Sequence, residues 1–186
     1  MDIYEPREDS DLLATAVRAH ARGVCVDIGT GTGIQAFAAL ENPNVTSVIA
    51  LDINLAAVDR VKERIAQLDT SQQHRISALE SDMYEHISPD ELFDTIISNP
   101  PYLPDEEHDH DVALYGGPGG YEWIIRFLDA SLPHLAPGGQ MLLLISSLSN
   151  KERIDAELKT RHLLFEEIAE LAMFFERLFI YRIRRP

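Results

Sequence analysis

Residues 23–40 constrain the fold more than any other stretch of the chain. Gly23-Val24-Cys25-Val26-Asp27-Ile28 is a short β-rich run, Gly29-Thr30-Gly31-Thr32-Gly33 is a glycine turn, and residues 34–40 have the composition of a helix. A short apolar run bounded by turn residues reads as a strand buried on both faces, the habit of parallel sheets. Strand, glycine turn and helix in that order make the first βα unit of a nucleotide-binding sheet. The spacing is G-x-G-x-G with Asp27 just before it, rather than the G-x-G-x-x-G of the dinucleotide fingerprint. Glycines let the turn approach a ligand closely and leave helix N–H groups open toward it. An acid two residues before the turn suits a ligand carrying an ammonium group better than a pyrophosphate.

The remaining segments continue the alternation. Leu12 to Val17 reads as a helix capped by Asp9 or Ser10. Residues 45–51 form a second strand ending at Asp52, and residues 55–68 carry apolar residues at 55, 58, 61, 65 and 68, a helical spacing. A loop at 69–74 leads to a third strand, 75–79, which ends before Ser81-Asp82-Met83. Residues 93–98 form a fourth strand that delivers Asn99. The segment 104–120 is long and polar, a kind of connection that is often functional. A helix is expected at 121–132, a turn at Pro137-Gly138-Gly139, a fifth strand at 140–146 and a helix at 151–161. Residues 165–172 are strand or helix by composition, whereas 177–183 alternates and favours a strand. The pattern predicts a mainly parallel sheet covered by helices, with ligands at the carboxyl ends of the strands. No repeat or linker interrupts it, so one compact domain is expected over residues 1–186.

Charge narrows the partners. The formal net charge is −15, and between Arg75 and Arg126 there is no Lys or Arg but twelve Asp or Glu. A grip on a nucleic-acid backbone needs cations near the site, so direct nucleic-acid binding is not expected. The N-terminus is acidic and lacks the basic region of a secretory signal, and no apolar run reaches the roughly 18 residues of a membrane span. The single cysteine, Cys25, excludes an internal disulfide and reads as a small buried hydrophobe. A cytoplasmic protein without a membrane partner is expected. His108 and His110, without paired cysteines and among acids, read as solvated loop residues, so no metal site is expected.

Chemistry collects at the strand ends. In Asn99-Pro100-Pro101-Tyr102 the prolines lack N–H donors and stiffen the chain, holding carbonyl acceptors beside an aromatic ring. That suits a flat group carrying an NH2. Asp52 either accepts both ribose hydroxyls or caps the helix that starts near Leu55, and Asp82 is placed to take an adenine amino group beside Met83. An ammonium, a ribose and an adenine together describe S-adenosylmethionine better than NAD.

On these residues the chain resembles class I methyltransferases acting on planar nitrogens. Tyr4-Glu5-Pro6-Arg7-Glu8-Asp9-Ser10 and Gly116-Gly117-Pro118-Gly119-Gly120-Tyr121-Glu122 are further similar to signatures of the archaeal and eukaryotic branch of HemK-like glutamine methyltransferases. The resemblance implies a Rossmann-like α/β fold: a seven-stranded, mainly parallel sheet of order 3-2-1-4-5-7-6, the last strand antiparallel, with helices on both faces. Glu176 to Ile180 is similar to the family's final strand, which assigns the tail to β structure. It implies that S-adenosylmethionine is the cofactor, with Asp9 and Ser10 near its amino-acid end and Asp27 near its ammonium. Gly29, Gly31 and Gly33 would pass beneath its methionine part, Asp52 meet the ribose, Asp82 and Met83 the adenine, and Ile53 and Asn99 also belong to the cofactor site. Asn99, Pro100, Pro101 and Tyr102 would bind the substrate, with Asn99, Pro100 and Tyr102 catalytic. The implied substrate is the glutamine amide of the Gly-Gly-Gln motif of a class 1 peptide chain release factor. The implied partner is a small zinc-binding activator protein paired with the third-strand edge. Adenine-N6 or cytosine methylation of RNA or DNA, and protein lysine methylation, are the competing readings. Pro118 departs from the family's glycine loop.

Overall fold

The computed structural model describes residues 3–103 and 116–186, so the acidic run with His108 and His110 lies outside the described residues. The apolar runs form one seven-stranded sheet of order β3-β2-β1-β4-β5-β7-β6. Its strands are β1 (Gly23–Ile28), β2 (Val45–Asp52), β3 (Ile76–Glu80), β4 (Phe93–Ser98), β5 (Leu135–Ser146), β6 (Leu164–Ala172) and β7 (Arg177–Arg184). β1 pairs in parallel with β2 and β4, β2 with β3, and β4 with β5. β7 runs antiparallel to both β5 and β6. The expected topology and strand order are those observed, and the tail is β structure.

Alternation along the strands sends side chains to two apolar layers. Cys25, Ile97, Leu142, Leu144 and Ile180 face α1 (Glu8–His20) and α2 (Ile34–Glu41), packing with Leu13, Val17 and Phe37. Val61 of α3 (Leu55–Ile65) belongs to the same layer. Val26, Ile28, Ile96, Met141 and Leu143 face the other way, against Ile124 and Phe127 of α5 (Glu122–Ser131) and Ile154 and Leu158 of α6 (Lys151–Thr160). Cys25 is buried in the first layer, and that burial pushes its thiol up to about 12, leaving it a packing residue. Among the described residues no helix is long and apolar enough to cross a membrane.

Three local expectations are corrected. Asp9 and Ser10 lie inside the first turn of α1 rather than capping it; the N-cap is Arg7, which makes no side-chain cap bond. The third helix ends at Ile65, and a short helix α4 (Thr70–Gln73) fills the expected loop, capped by the Asp69 side chain accepting from the Gln72 N–H. Pro137-Gly138-Gly139 does not precede the fifth strand but lies within β5, where its register with β4 shifts and Gly138 adopts a positive φ of 76°. An inserted, proline-containing segment without a full set of ladder bonds is the physical signature of a bulge.

Candidate active site

Asp27 is the last-but-one residue of β1, and strand alternation turns it into the α1–α2 layer, where it is fully buried. Its Oδ2 accepts from Thr30 Oγ1 at 2.6 Å and from the Ala36 N–H at 3.1 Å. Its Oδ1 has no hydrogen-bond partner. Burial pushes this carboxyl up to about 7, against the opposing pull of the Thr30 and Ala36 bonds. A buried carboxylate oxygen left unpaired is costly, so the position is one that a donor from outside the chain would stabilise.

The three glycines of the turn all have positive φ, 71°, 54° and 81°, but they differ in what they leave open. A Cβ on Gly29 or Gly31 would meet no atom, whereas one on Gly33 would come within 2.9 Å of Val61 Cγ2 and 3.0 Å of Phe37. The first two keep space free above the turn; the third lets α3 and α2 pack. Asp52 closes the turn from β2, its Oδ2 accepting from the Gly31 N–H at 2.8 Å and its Oδ1 from the Asn54 N–H at 2.9 Å. Burial raises its pKa despite these bonds. The cap of α3 is Asn54, whose side chain accepts from the Ala56 N–H, so the capping alternative for Asp52 falls away. Each carboxylate oxygen can accept a second bond, which leaves Asp52 able to take hydroxyl donors. Ile53 projects beside it, 56% exposed.

At the end of β3, Asp82 Oδ2 accepts from Arg126 Nη2 of α5 at 2.7 Å. Met83 is buried and holds a positive φ of 50°, an unusual conformation for a side-chain-bearing residue. Asp82, Met83, Tyr84, Glu85 and Arg126 line a cleft of about 470 Å³. Arg126 lines this cleft and was not selected by sequence reasoning; its signal was its place as the first cation after the long acidic interval.

Asn99 leaves the end of β4, which Ser98 ties to β1 through a 2.8 Å bond from its Oγ to the Ile28 carbonyl. The Asn99 Nδ2 donates to Asp9 Oδ2 at 2.9 Å and to Ser10 Oγ at 3.4 Å. Asp9 is itself buried and also accepts from Tyr4 Oη at 3.2 Å and Ser10 Oγ at 3.3 Å. A carboxylate can only accept, so it must face the NH2 of Asn99, and this fixes the amide's orientation. The Asn99 Oδ1 is thereby turned away, buried and without a partner. The inward turn of Asp9 and the contribution of Tyr4 are the parts of this grip that sequence reasoning missed. Pro100 is buried and Tyr102 half-buried against the first apolar layer. The Gly116 N–H donates to the Leu103 carbonyl at 2.9 Å, and a Cβ on Gly116 would lie 2.6 Å from the Pro101 carbonyl oxygen. Glu122 accepts from the Gly119 and Tyr121 N–H groups, pinning the glycine stretch from its own end. Pro118 occupies the second position of a turn closed by a 2.9 Å bond from the Gly120 N–H to the Gly117 carbonyl, where a missing N–H costs nothing.

Comparison with known proteins identifies the family. Residues 7–174 match the family model of the methyltransferase small domain. The chain is 38% identical over 165 residues to a release factor glutamine methyltransferase of Rhodopirellula baltica, covering 79% of this chain and 55% of that protein. It is 33% identical over 184 residues to a putative protein N5-glutamine methyltransferase of Methanocaldococcus jannaschii, covering 96% and 90%. It is 30% identical over 177 residues to human methyltransferase HEMK2, covering 87% and 80%. The chain thus spans about half the length of the Rhodopirellula relative and most of the length of the other two. A chain of the E. cuniculi Mtq2–Trm112 complex, a complex described as responsible for the methylation of the translation termination factor eRF1, superposes with a TM-score of 0.77 at 24% identity over the whole of both chains. The chain belongs to the methyltransferase small-domain family. Within that family it is a HemK-like methyltransferase, as its similarity to the Methanocaldococcus and human proteins shows.

Proposed function

We propose that residues 1–186 form one S-adenosylmethionine-dependent methyltransferase domain that methylates the side-chain amide of a protein glutamine, the Gly-Gly-Gln glutamine of a class 1 peptide chain release factor. The observation that carries this reading is the orphaned Asn99 Oδ1, buried and left free to accept because Asp9 takes the amide's NH2. A planar substrate NH2 donates one N–H to that oxygen and the other to the Pro100 carbonyl, with Tyr102 alongside. The orphaned Asp27 Oδ1 and the open space above Gly29 and Gly31 fit an ammonium-bearing nucleoside cofactor. Ser10, Asp27, the glycine turn, Asp52, Ile53, Asp82 and Met83 would hold it. When bound, S-adenosylmethionine supplies an electrophilic methyl group.

An amide nitrogen is a poor nucleophile because its lone pair is delocalised, and Asp9, the carboxylate beside Asn99, already accepts from Tyr4, Ser10 and Asn99 itself. The chain's contribution is therefore orientation by Asn99, Pro100 and Tyr102, an effect that can supply roughly 7–11 kcal/mol, together with polarisation of the two N–H bonds. The long interval without cations supports a protein substrate over RNA or DNA. A lysine ammonium is neither planar nor matched to two acceptors until it is deprotonated.

The edge position of β3 supports a small activator, zinc-binding in the proposed form, adding a strand there. The family resemblance and the two-protein composition of the Mtq2 structure favour that partner, and a cytoplasmic location follows from the substrate. Incubation with labelled S-adenosylmethionine and either a class 1 release factor or nucleic acid tests the reading. Label on the factor that disappears when the Gly-Gly-Gln glutamine is changed is the expected result; label on nucleic acid or on a lysine would replace it.

A further inference from the structure

The sequence from β6 to β7 ends in a hairpin tip, Met173-Phe174-Phe175, that carries two aromatic rings in open solvent. Phe174 is 92% exposed and Phe175 86%, with Met173 partly exposed beside them. The rings meet edge to face with centroids 4.5 Å apart, so they form one patch rather than two stray residues. The tip is braced: the Met173 N–H donates to the Glu176 carbonyl at 2.7 Å, Arg177 pairs with Glu170 across the hairpin, and Ser146 Oγ donates to Glu176. A solvated aromatic pair adds little to folding and makes a good anchor for binding.

Strand register locates this anchor relative to the amide grip. Ser98, the residue before Asn99, lies opposite Leu143 of β5, and Leu143 lies opposite Tyr181 of β7. From that level β7 extends to Arg177, about 13 Å at about 3.3 Å per residue, before the tip begins. The hairpin therefore stands past the grip on the side where strands deliver their ligands. Its base is close enough to the grip for electrostatics: burial first, then Asp9 and Glu176, raise the Tyr102 phenol. β6 is also the sheet edge opposite β3, so a strand added beside β3 leaves the tip uncovered.

We propose that the Met173–Phe175 tip docks the body of the substrate protein, away from the methylated loop, in an apolar hollow rimmed by cationic side chains. This rests on the protein-substrate reading above. The cationic rim is the complement of Glu176, the acid of the tip without an ion pair among the described residues, and of a chain of net charge −15. The same charge disfavours an anionic membrane and a second copy of this chain, which would bring two acidic rims together.

The test uses the full chain, with its activator where that is required, and the double variant Phe174→Ser/Phe175→Ser. Both side chains are solvated, so the melting temperature is expected to be unchanged. On full-length release factor, KM rises about 10- to 100-fold with kcat kept. On a short peptide containing Gly-Gly-Gln, kcat/KM is unchanged. A benzoylphenylalanine placed at position 174 crosslinks to the factor on irradiation. Equal losses on protein and peptide, no loss on either, or crosslinks only between copies of this chain would overturn the docking role. Failure of the unaltered enzyme to methylate the factor would instead overturn the substrate reading on which it rests.

Discussion

Asp27 and Asp52 find their partners close at hand: Thr30 and Ala36 follow Asp27 within one βα unit, and Asp52 reaches Asn54 beside it and Gly31 across one strand. Asn99 is held by Asp9, ninety residues away on the first helix. The proposed cofactor rim is thus built from local strand-turn-helix geometry, and the proposed amide grip from a long-range polar cluster of Tyr4, Asp9, Ser10 and Asn99. Local geometry tolerates change at single positions because its backbone bonds are many. A buried polar cluster fails as a unit, because each member leaves another unpaired.

Substitution at Asp9 should expose this difference most strongly. Asp9→Ala frees the Asn99 amide to rotate, and kcat is expected to fall about 100-fold or more, the scale of removing an oriented donor or acceptor from a reacting centre. Asp9→Asn keeps an oxygen able to accept from Asn99 Nδ2 and should retain several times more activity than the alanine variant. Equal activities of the two variants would detach Asp9 from the grip.

The glycine turn separates along a second line. Gly33→Ala adds a methyl against Val61 and Phe37 to the strain of a positive φ, and should lower unfolding stability by about 2–5 kcal/mol in denaturant titration. Gly31→Ala meets no atom and should lower stability only by the backbone strain of about 1–2 kcal/mol, while weakening cofactor binding measured by calorimetry. If both variants lost stability and affinity in the same proportion, Gly31 and Gly33 would share one role.

A further effect concerns pH. Asp27 keeps its proton to about 7 when folded, against 3.8 ordinarily, so between those values the folded state binds more protons than the unfolded one. Its contribution to stability is full below about 3.8 and is lost as pH rises through about 7. Melting curves of the ligand-free protein should therefore fall less steeply over that range in Asp27→Asn than in the parent. A parallel pair of curves would mean that Asp27 is ionised throughout.

The same contrast explains what was legible in the sequence. The strands announced themselves as apolar runs, and their ends carried Asp27, Asp52, Asp82 and Asn99 in positions that topology alone brings to one rim. Helix capping and the inward turn of a first-turn acid look identical in sequence, and only the fold, which sets Asn99 beside Asp9, separates them. The spacing of Gly29, Gly31 and Gly33 is uniform, but only packing against Val61 distinguishes the third. Arg126 reaches Asp82 across forty-four residues, a pairing that no local pattern encodes. Pro137 to Gly139 carries the composition of a turn and is absorbed by β5 because the neighbouring strand supplies a ladder on either side of the bulge.

The Asn99→Ala variant tests the division between rim and grip most directly, with two readouts on one protein: cofactor affinity by calorimetry, and methyl transfer to the release factor. Retention of affinity within about threefold, with turnover reduced by about three orders of magnitude, is the predicted result. Loss of affinity and turnover together would place Asn99 in the cofactor rim and contradict its role as the acceptor for the substrate amide.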